Sequence, residues 1–325
     1  KFKEFCRNRS FESVAKELGM SSTQISNLAS QRDIRDVFSL NTGSSYEDEI
    51  CEWLSDINIK KNDRTILKPK EIDIFLPDHN IGIEIDGLYY HSEYSGKKNS
   101  TYHSLKQDQC RSNGIRLFQL YTDEWDHKKE LCKSIIGSAL GVYHKQRIYA
   151  RNCKVKSLSW NDVKDFLDDN HLQGCGSPTK YNMGLFNDDQ LMMVMTFSKN
   201  RKSINRDGWE LTRLCSRYDI NVVGGSEKLL KHSISEFGPT SLISYCDRRW
   251  FTGNTYTKLG FEYKGTTKAG YYYTDYSKRF PRYSFSKYKL IKDGYDESKS
   301  ELQIMLDRGF DRIWNAGNDI FILYI

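Results

Sequence analysis

The chain switches between two hydrophobic periods, and the switches mark out its elements. In SFESVAKELGM the apolar residues fall at Phe11, Val14, Ala15 and Leu18, the spacing of one helical face, and Gly19 closes the run. SSTQISNLASQ repeats that period with Ile25 and Leu28, so residues 1–40 predict two short helices around a glycine turn. After a polar joint at 41–45, Ile50, Trp53 and Leu54 give SYEDEICEWL an inward helical face. The period then drops to two. Ile72, Ile74 and Leu76 alternate with Asp73 and Phe75, residues 77–80 make a turn, and IGIEID (81–86) forms a second strand. A helix beginning near Thr101 ends at Gly114, and IRLFQLYTDEW returns as a buried strand with Trp125 as a core anchor. Residues 126–149 predict a linking helix.

From Arg151 the pattern changes. KVKSLSWNDVKDFLDDNHLQG reads as strand then helix, and YNMGLFNDDQLMMVMTFSK as a hairpin around Asn187-Asp188-Asp189. WELTRLC is a further strand, and VVGGSEKLLKHSISEFG is a helix entered through glycines. LISYCDRRW, TYTKLGFEYKG and YYYTD continue a β-α-β progression, and residues 300–325 predict an amphipathic helix and a final strand packing back on this domain.

At 325 residues the chain has room for two or three domains. No apolar run approaches the roughly 20 residues of a membrane span, so no membrane partner is expected. No signal peptide is read at the start, and a first residue Lys1 in place of Met suggests a fragment or trimmed chain. Eight scattered cysteines without a C-x-x-C pair argue against zinc ribbons and disulfides, and for a reducing cytoplasm. The net charge is only +6, so its location matters more than its total. Lys264 to Lys292 holds eight Lys or Arg (among them Lys278, Arg279, Arg282, Lys287 and Lys289) against Asp275, with eight aromatics interleaved. That stretch suits phosphates, its ring faces being available to bases or sugars.

Chemistry concentrates in the first hairpin. Adjacent antiparallel strands bring Asp73 near Glu84 or Asp86, and His91 follows one short step later. Gathered carboxylates repel one another, and a cation is the usual reason to keep them together. The plainer alternative is a hairpin with carboxylates on its wet face. His103 and Lys106 lie three apart on one helix face, close enough to act together.

The set E-I-D-I-F-x-P, I-x-I-E-I-D-G-x-Y-Y-H-S-E, H-x-x-K, C-x-x-x-G-I-R-L and D-E-W resembles the PD-(D/E)xK nuclease superfamily. The similarity covers about residues 44–140 and falls in the branch of very-short-patch (Vsr-like) repair and phage homing endonucleases. The triplet here is Glu84-Ile85-Asp86, without the terminal lysine of the standard site. The resemblance implies Mg²⁺ (or Mn²⁺) held by Asp73, Asp86 and Glu84, proton transfer by His91, and a glutamate from the preceding helix. Glu47 is selected for that last role, Glu49 remaining open, and Lys106 or His103 would offset charge on a phosphate.

AKELGMSSTQIS resembles sequence-reading helix-turn-helix units, which implies that Thr23, Gln24, Ser26, Asn27 and Arg32 meet double-stranded DNA. The element order of about 152–275 resembles the GNAT acetyltransferase fold. Its acyl-CoA loop is degenerate here, at Asn221 to Ser226, with Gly224, Gly225 and Ser226 at the helix start. The Arg or Gln expected before the glycines is missing, which argues against acetyl-CoA while leaving it open. Glu210 and Tyr256 stand where such enzymes hold a base and an acid, or serve as plain strand and core residues.

The sequence therefore predicts a multidomain α/β protein in series. A helix-turn-helix (1–40) precedes a Vsr-like mixed-sheet nuclease core (41–145) and a GNAT-like α+β domain with the basic aromatic stretch (146–325). The expected function is a DNA homing endonuclease in a bacterial cytoplasm, encoded by a phage or mobile element. A DNA-targeted acyltransferase and a non-catalytic regulator are the alternatives, and a homodimer is left open.

Overall fold

The computed structural model describes residues 11–31, 45–143, 145–199 and 208–325. The first part of the chain forms α1 (Phe11–Leu18), α2 (Ser22–Gln31), α3 (Ser45–Trp53), β1 (Lys60–Asp63), β2 (Ile72–Leu76) and β3 (Ile81–Asp86). Next come α4 (Tyr102–Ser112), β4 (Arg116–Tyr121), α5 (Thr122–Leu140), β5 (Gln146–Tyr149), β6 (Lys154–Ser157) and α6 (Trp160–Asn170). Then follow β7 (Tyr181–Asn187), β8 (Gln190–Lys199), β9 (Gly208–Ser216), β10 (Ile220–Val223), α7 (Gly225–Phe237), β11 (Ser241–Asp247) and α8 (Asn254–Lys258). The chain ends with β12 (Glu262–Thr266), β13 (Tyr271–Thr274), β14 (Arg279–Pro281), α9 (Lys287–Lys292), α10 (Glu301–Asp307), β15 (Asp311–Trp314) and β16 (Asn318–Tyr324).

These elements form a mixed α/β protein of two compact units, residues 1–98 with 271–313 and residues 99–270 with 314–325. This division is not serial: each unit draws on two separate lengths of chain. In the first, α1 and α2 bury Val14, Ala15, Ile25 and Ala29, whereas Leu18, expected on the inner face, is 42% exposed. Strands β1, β2 and β3 pair antiparallel in that order. Ile72, Ile74 and Leu76 of β2 are fully buried as expected, but the alternation is incomplete, because Phe75 is buried as well and only Asp73 is half-buried. A three-stranded sheet, β14-β13-β15, is antiparallel between β13 and β14, and its Tyr273 packs with Leu290, Ile304 and Met305. Segment 93–95 is tied to it: Asp311 accepts the Tyr94 and Ser95 N–H groups, Arg312 pairs with Glu93 at 2.7 Å, and Ser95 meets Tyr276.

The second unit is built on a seven-stranded sheet ordered β12-β16-β11-β9-β8-β7-β6. All its pairs are antiparallel except β9–β11. Its core runs from Met183 and Leu185 through Phe197, Leu211 and Leu242 to Phe321, and Leu229 and Leu230 of α7 pack on it. The final strand does return to this sheet, between β11 and β12. YYYTD does not continue the sheet, because β13 belongs to the three-stranded sheet of the other unit. A short parallel pair, β5–β10, was not foreseen, since four residues are too few to show a period.

Helix α5 starts at Thr122, so the D-E-W run lies in its first turn and does not extend the strand, with Glu124 accepting the Tyr121 N–H at 3.2 Å. Trp125 is fully buried, as an anchor should be. Glu124 also holds Arg249 through two contacts, Nη1 to Oε2 at 3.1 Å and Nη2 to Oε1 at 3.0 Å. Arg249 further donates to Asp247 (2.9 Å) and the Gln119 carbonyl (3.2 Å), and its guanidinium lies 4.4 Å over the Tyr121 ring. The carboxylates hold its pKa well above the ordinary value against the opposing effect of burial.

Candidate functional site

The structure opens a wedge in the seven-stranded sheet. Strands β9 and β11 run parallel and pair only at Gly208–Ser241, Trp209–Leu242 and Glu210–Ile243. Beyond those positions β9 continues along β8 to Ser216, while β11 continues along β16 to Asp247. One side-chain bond bridges the strands where the backbone ladder stops: Ser244 Oγ donates to the Leu211 carbonyl at 2.9 Å. Tyr256 of α8 shares a hydrogen bond with Ser244, and its ring stacks on Phe321 at 5.2 Å. Burial pushes the Tyr256 phenol up to about 12, and the bond to Ser244 only partly offsets that effect. The phenol is therefore protonated at neutral pH. Glu210, the last paired residue, faces Tyr245, whose pKa is raised first by burial and then by the Glu210 charge.

Helix α7 connects the two diverging strands. It starts at a left-handed Gly224 (φ 76°), and no side chain caps its first turn. Gly225 is demanded by packing, because a Cβ there would lie 2.9 Å from both Met193 Sδ and Val222 Cγ1. The Glu227 carboxylate of the first turn pairs with Lys231 at 2.7 Å. Lys228 is committed to the Ala150 and Cys153 carbonyls at 2.9 and 2.6 Å.

The other predicted residues are divided between the units. In the first unit the Asp73 carboxylate accepts the Ile85 N–H at 2.8 Å, and Glu84 and Asp86 are 3% and 0% exposed. All six β3 residues are buried, so its carboxylates do not lie on a wet face. His91 Nδ1 lies 2.8 Å from Asp86 Oδ1, and Glu47 is half-buried on α3. His103 and Lys106 belong to α4 of the second unit, where both are buried. Gln24 and Ser21 cap α2 reciprocally, by Ser21 N–H to Gln24 Oε1 (2.8 Å) and Gln24 N–H to Ser21 Oγ (3.1 Å). Asn27 is exposed; the Thr23 and Ser26 side chains and Arg32 lie outside the described residues.

The basic stretch belongs mainly to the first unit, and its rings divide between core and surface. Tyr273 is fully buried, and Phe280, Phe285 and Phe310 contact one another. Tyr283 and Tyr288 are 62% and 78% exposed among the exposed Lys278, Arg282, Lys287 and Lys289. Arg279 is half-buried, its guanidinium 5.0 Å over Tyr272. Sequence reasoning missed Ser244, Asp247 and Arg249. The D-R-R-W run was the available signal, since two adjacent arginines inside an apolar β-α-β segment need partners.

No protein-family model matches the chain, and no curated protein matches it. Among solved structures it is similar to the PaiA N-acetyltransferase of Thermoplasma acidophilum in complex with coenzyme A (15% identity, 35% of this chain and 92% of that one, TM-score 0.28). It is similar also to a GNAT family acetyltransferase of Elizabethkingia anophelis with acetyl-CoA bound (13% identity, 54% and 99%, TM-score 0.31). A third is the IAA acetyltransferase of Bacillus cereus (11% identity, 53% and 99%, TM-score 0.31).

The expected PD-(D/E)xK, Vsr-like homing endonuclease is thereby corrected, together with its metal-dependent hydrolase activity: the similar structures are acetyltransferases, and none of these findings supports Mg²⁺. The physical weakness was already local. The triplet at residues 84–86 ends in Asp where the standard site has lysine, and Lys106, at 2% exposure, is withdrawn from any solvent-borne phosphate. No helix among the described residues is long and apolar enough to cross a membrane.

Proposed function

We propose that the second unit is an acyltransferase domain that takes its acyl group from a CoA-type thioester, and that the basic aromatic stretch retains the protein on nucleic acid. The observation that carries this reading is the β9–β11 wedge, with a protonated Tyr256 at its apex and an uncapped helix start on the chain between its two strands. The fit is reasonable on the donor side. The free N–H groups of a first turn suit a diphosphate, and Gly224 and Ser226 leave that turn without a bulky side chain. When bound, the carrier would supply an activated thioester. Gly224 to Ser226 would bind its diphosphate, the strand edges left unpaired beyond Glu210 and Ile243 would orient its arm, and Tyr256 Oη would give a proton to the leaving sulfur. Glu210, at the last paired position of the wedge, is the base candidate.

Nucleic-acid retention rests on the exposed Lys278, Arg282, Lys287 and Lys289 with Tyr283 and Tyr288, since cations displace condensed counterions and exposed rings stack on bases. A non-catalytic nucleic-acid binder is the second reading. It is favoured by Asn221 in place of Arg or Gln, and by β5 lying along β10 just before the helix start. Calorimetry with acetyl-CoA separates the two. Saturable binding that weakens in Ser226→Glu supports the acyltransferase; absence of binding with salt-sensitive DNA binding supports the second reading.

A further inference from the structure

The chain from Lys278 to Lys292 holds six Lys or Arg and no Asp or Glu. Its rings serve two different purposes in the first unit. Phe280 and Phe285 contact each other and Phe310, and Phe285 also meets Tyr273 at 5.8 Å. Phe285 thereby anchors the turn at Arg282–Phe285, which carries Tyr283 at 62% exposure. Lys289 holds the same turn from outside: its ammonium donates to the Tyr283 carbonyl at 3.0 Å and lies 5.9 Å over the Tyr283 ring. Helix α9 is oriented by Leu290, its buried residue. At about 100° per residue, Tyr288 and Lys292 fall on the face opposite Leu290, turned from the core. Tyr288 is accordingly 78% exposed, and Lys287, Lys289 and Lys292 around it are exposed as well.

A single exposed tyrosine is ordinary on a protein surface. Here two of them stand five positions apart on anchored elements, among cations and without an acid between Lys278 and Lys292. The cations attract the phosphates of any nucleic acid. The rings discriminate. In a duplex both faces of each internal base are covered by its neighbours, so a surface ring reaches a face only where a step is unstacked, which costs free energy. An unpaired strand offers its base faces without that cost, and each base that stacks on a ring adds affinity whatever its identity.

We propose that this surface of the first unit is a site for single-stranded nucleic acid, with Tyr283 and Tyr288 stacking on unpaired bases and Lys278, Lys287 and Lys292 meeting the backbone phosphates. The inference rests on the nucleic-acid retention proposed above and narrows it to unpaired strands. The test is fluorescence anisotropy of the whole protein with a labelled single-stranded oligodeoxynucleotide of mixed sequence, and with the same oligonucleotide annealed to its complement, in one buffer. Wild type should bind the single strand at least about tenfold more tightly than the duplex. Tyr283→Ala and Tyr288→Ala should each weaken single-strand binding at least about fivefold and leave duplex binding within about twofold. Tyr288→Phe, which keeps the ring and loses the hydroxyl, should bind the single strand like wild type, because stacking uses the ring face. Tyr324→Ala, at an equally exposed ring beside Lys264 in the second unit, is the control and should change nothing. Duplex binding as tight as single-strand binding, or equal weakening of both by Tyr288→Ala, would overturn the inference and leave nucleic-acid retention standing. Binding to neither would overturn both.

Discussion

Arg249 and Arg116 lie in the same unit, the first fully buried and the second half-buried, and they differ in what surrounds them. Arg249 is enclosed by Glu124, Asp247, the Gln119 carbonyl and the Tyr121 ring, and its pKa is raised. Arg116 has a carbonyl, the Phe118 ring and a cavity, and its pKa is lowered. The guanidinium with carboxylate partners holds α5 to the end of β11 and is structural, although Nε of both arginines is buried without an acceptor. What sets the opposite directions of their pKa values is the number of opposing charges.

Removing one side of the buried Glu124–Arg249 pair should give the largest effect. Glu124→Gln or Arg249→Leu leaves a buried charge uncompensated, at a cost of about 3–5 kcal/mol in denaturant unfolding. A loss under about 1 kcal/mol would mean that the network is not closed. Next, Arg116→Gln removes a half-buried charge that has no carboxylate partner among the described residues. Stability should move by no more than about 1 kcal/mol in the same unfolding assay, and a loss as large as that of Arg249→Leu would erase the contrast.

Thiols sharpen the comparison further, because burial is the largest cause of their shift and charged neighbours are lesser ones. The Cys215 and Cys246 thiols are pushed up to about 12, by burial first. In the folded protein at pH 8 they should react with a thiol reagent on the order of 10³-fold more slowly than free cysteine, measured by mass spectrometry of labelled peptides. The smallest effect concerns Tyr256, also at about 12. Since its folded pKa exceeds the unfolded value of about 10, it costs no stability below pH 10 and destabilises the fold as pH rises from about 10 to about 12. Tyr256→Phe should remove that alkaline loss, seen as a smaller fall in Tm between pH 9.5 and 11 as round-number settings around those values.

Much of the fold was legible because local periods survive in it. The apolar positions of β2, the glycine stop of α4 at Gly114 (φ 71°), and the α7 start at Gly224 all carry their own signals. The division into units was not legible, because it depends on long-range pairing. β13 sits where a sheet strand is expected, yet it pairs with β14, while β16 from the chain end fills the place between β11 and β12. The hairpin misled for a related reason. Asp73, Glu84, Asp86 and His91 do lie on neighbouring strands and the turn after them, but carboxylate spacing does not reveal that β3 is buried along its whole length. The wedge itself is invisible in sequence, since it is defined by where pairing stops. Gly225 illustrates the ambiguity: the same glycine that resembles a cofactor loop is required by Met193 and Val222.

That ambiguity also selects the decisive variant. A bulky residue at Gly225 would collide with Met193 and so test packing, whereas Ser226→Glu adds a negative charge to an uncapped first turn, where it favours the helix and opposes a diphosphate. The measurement is isothermal titration of acetyl-CoA into wild type and Ser226→Glu, with the Tm of each protein recorded without ligand. The account predicts saturable binding to wild type, at least tenfold weaker binding to the variant, and a Tm that is unchanged or higher. Failure of wild type to bind acetyl-CoA, or equal binding by the two proteins, would contradict it.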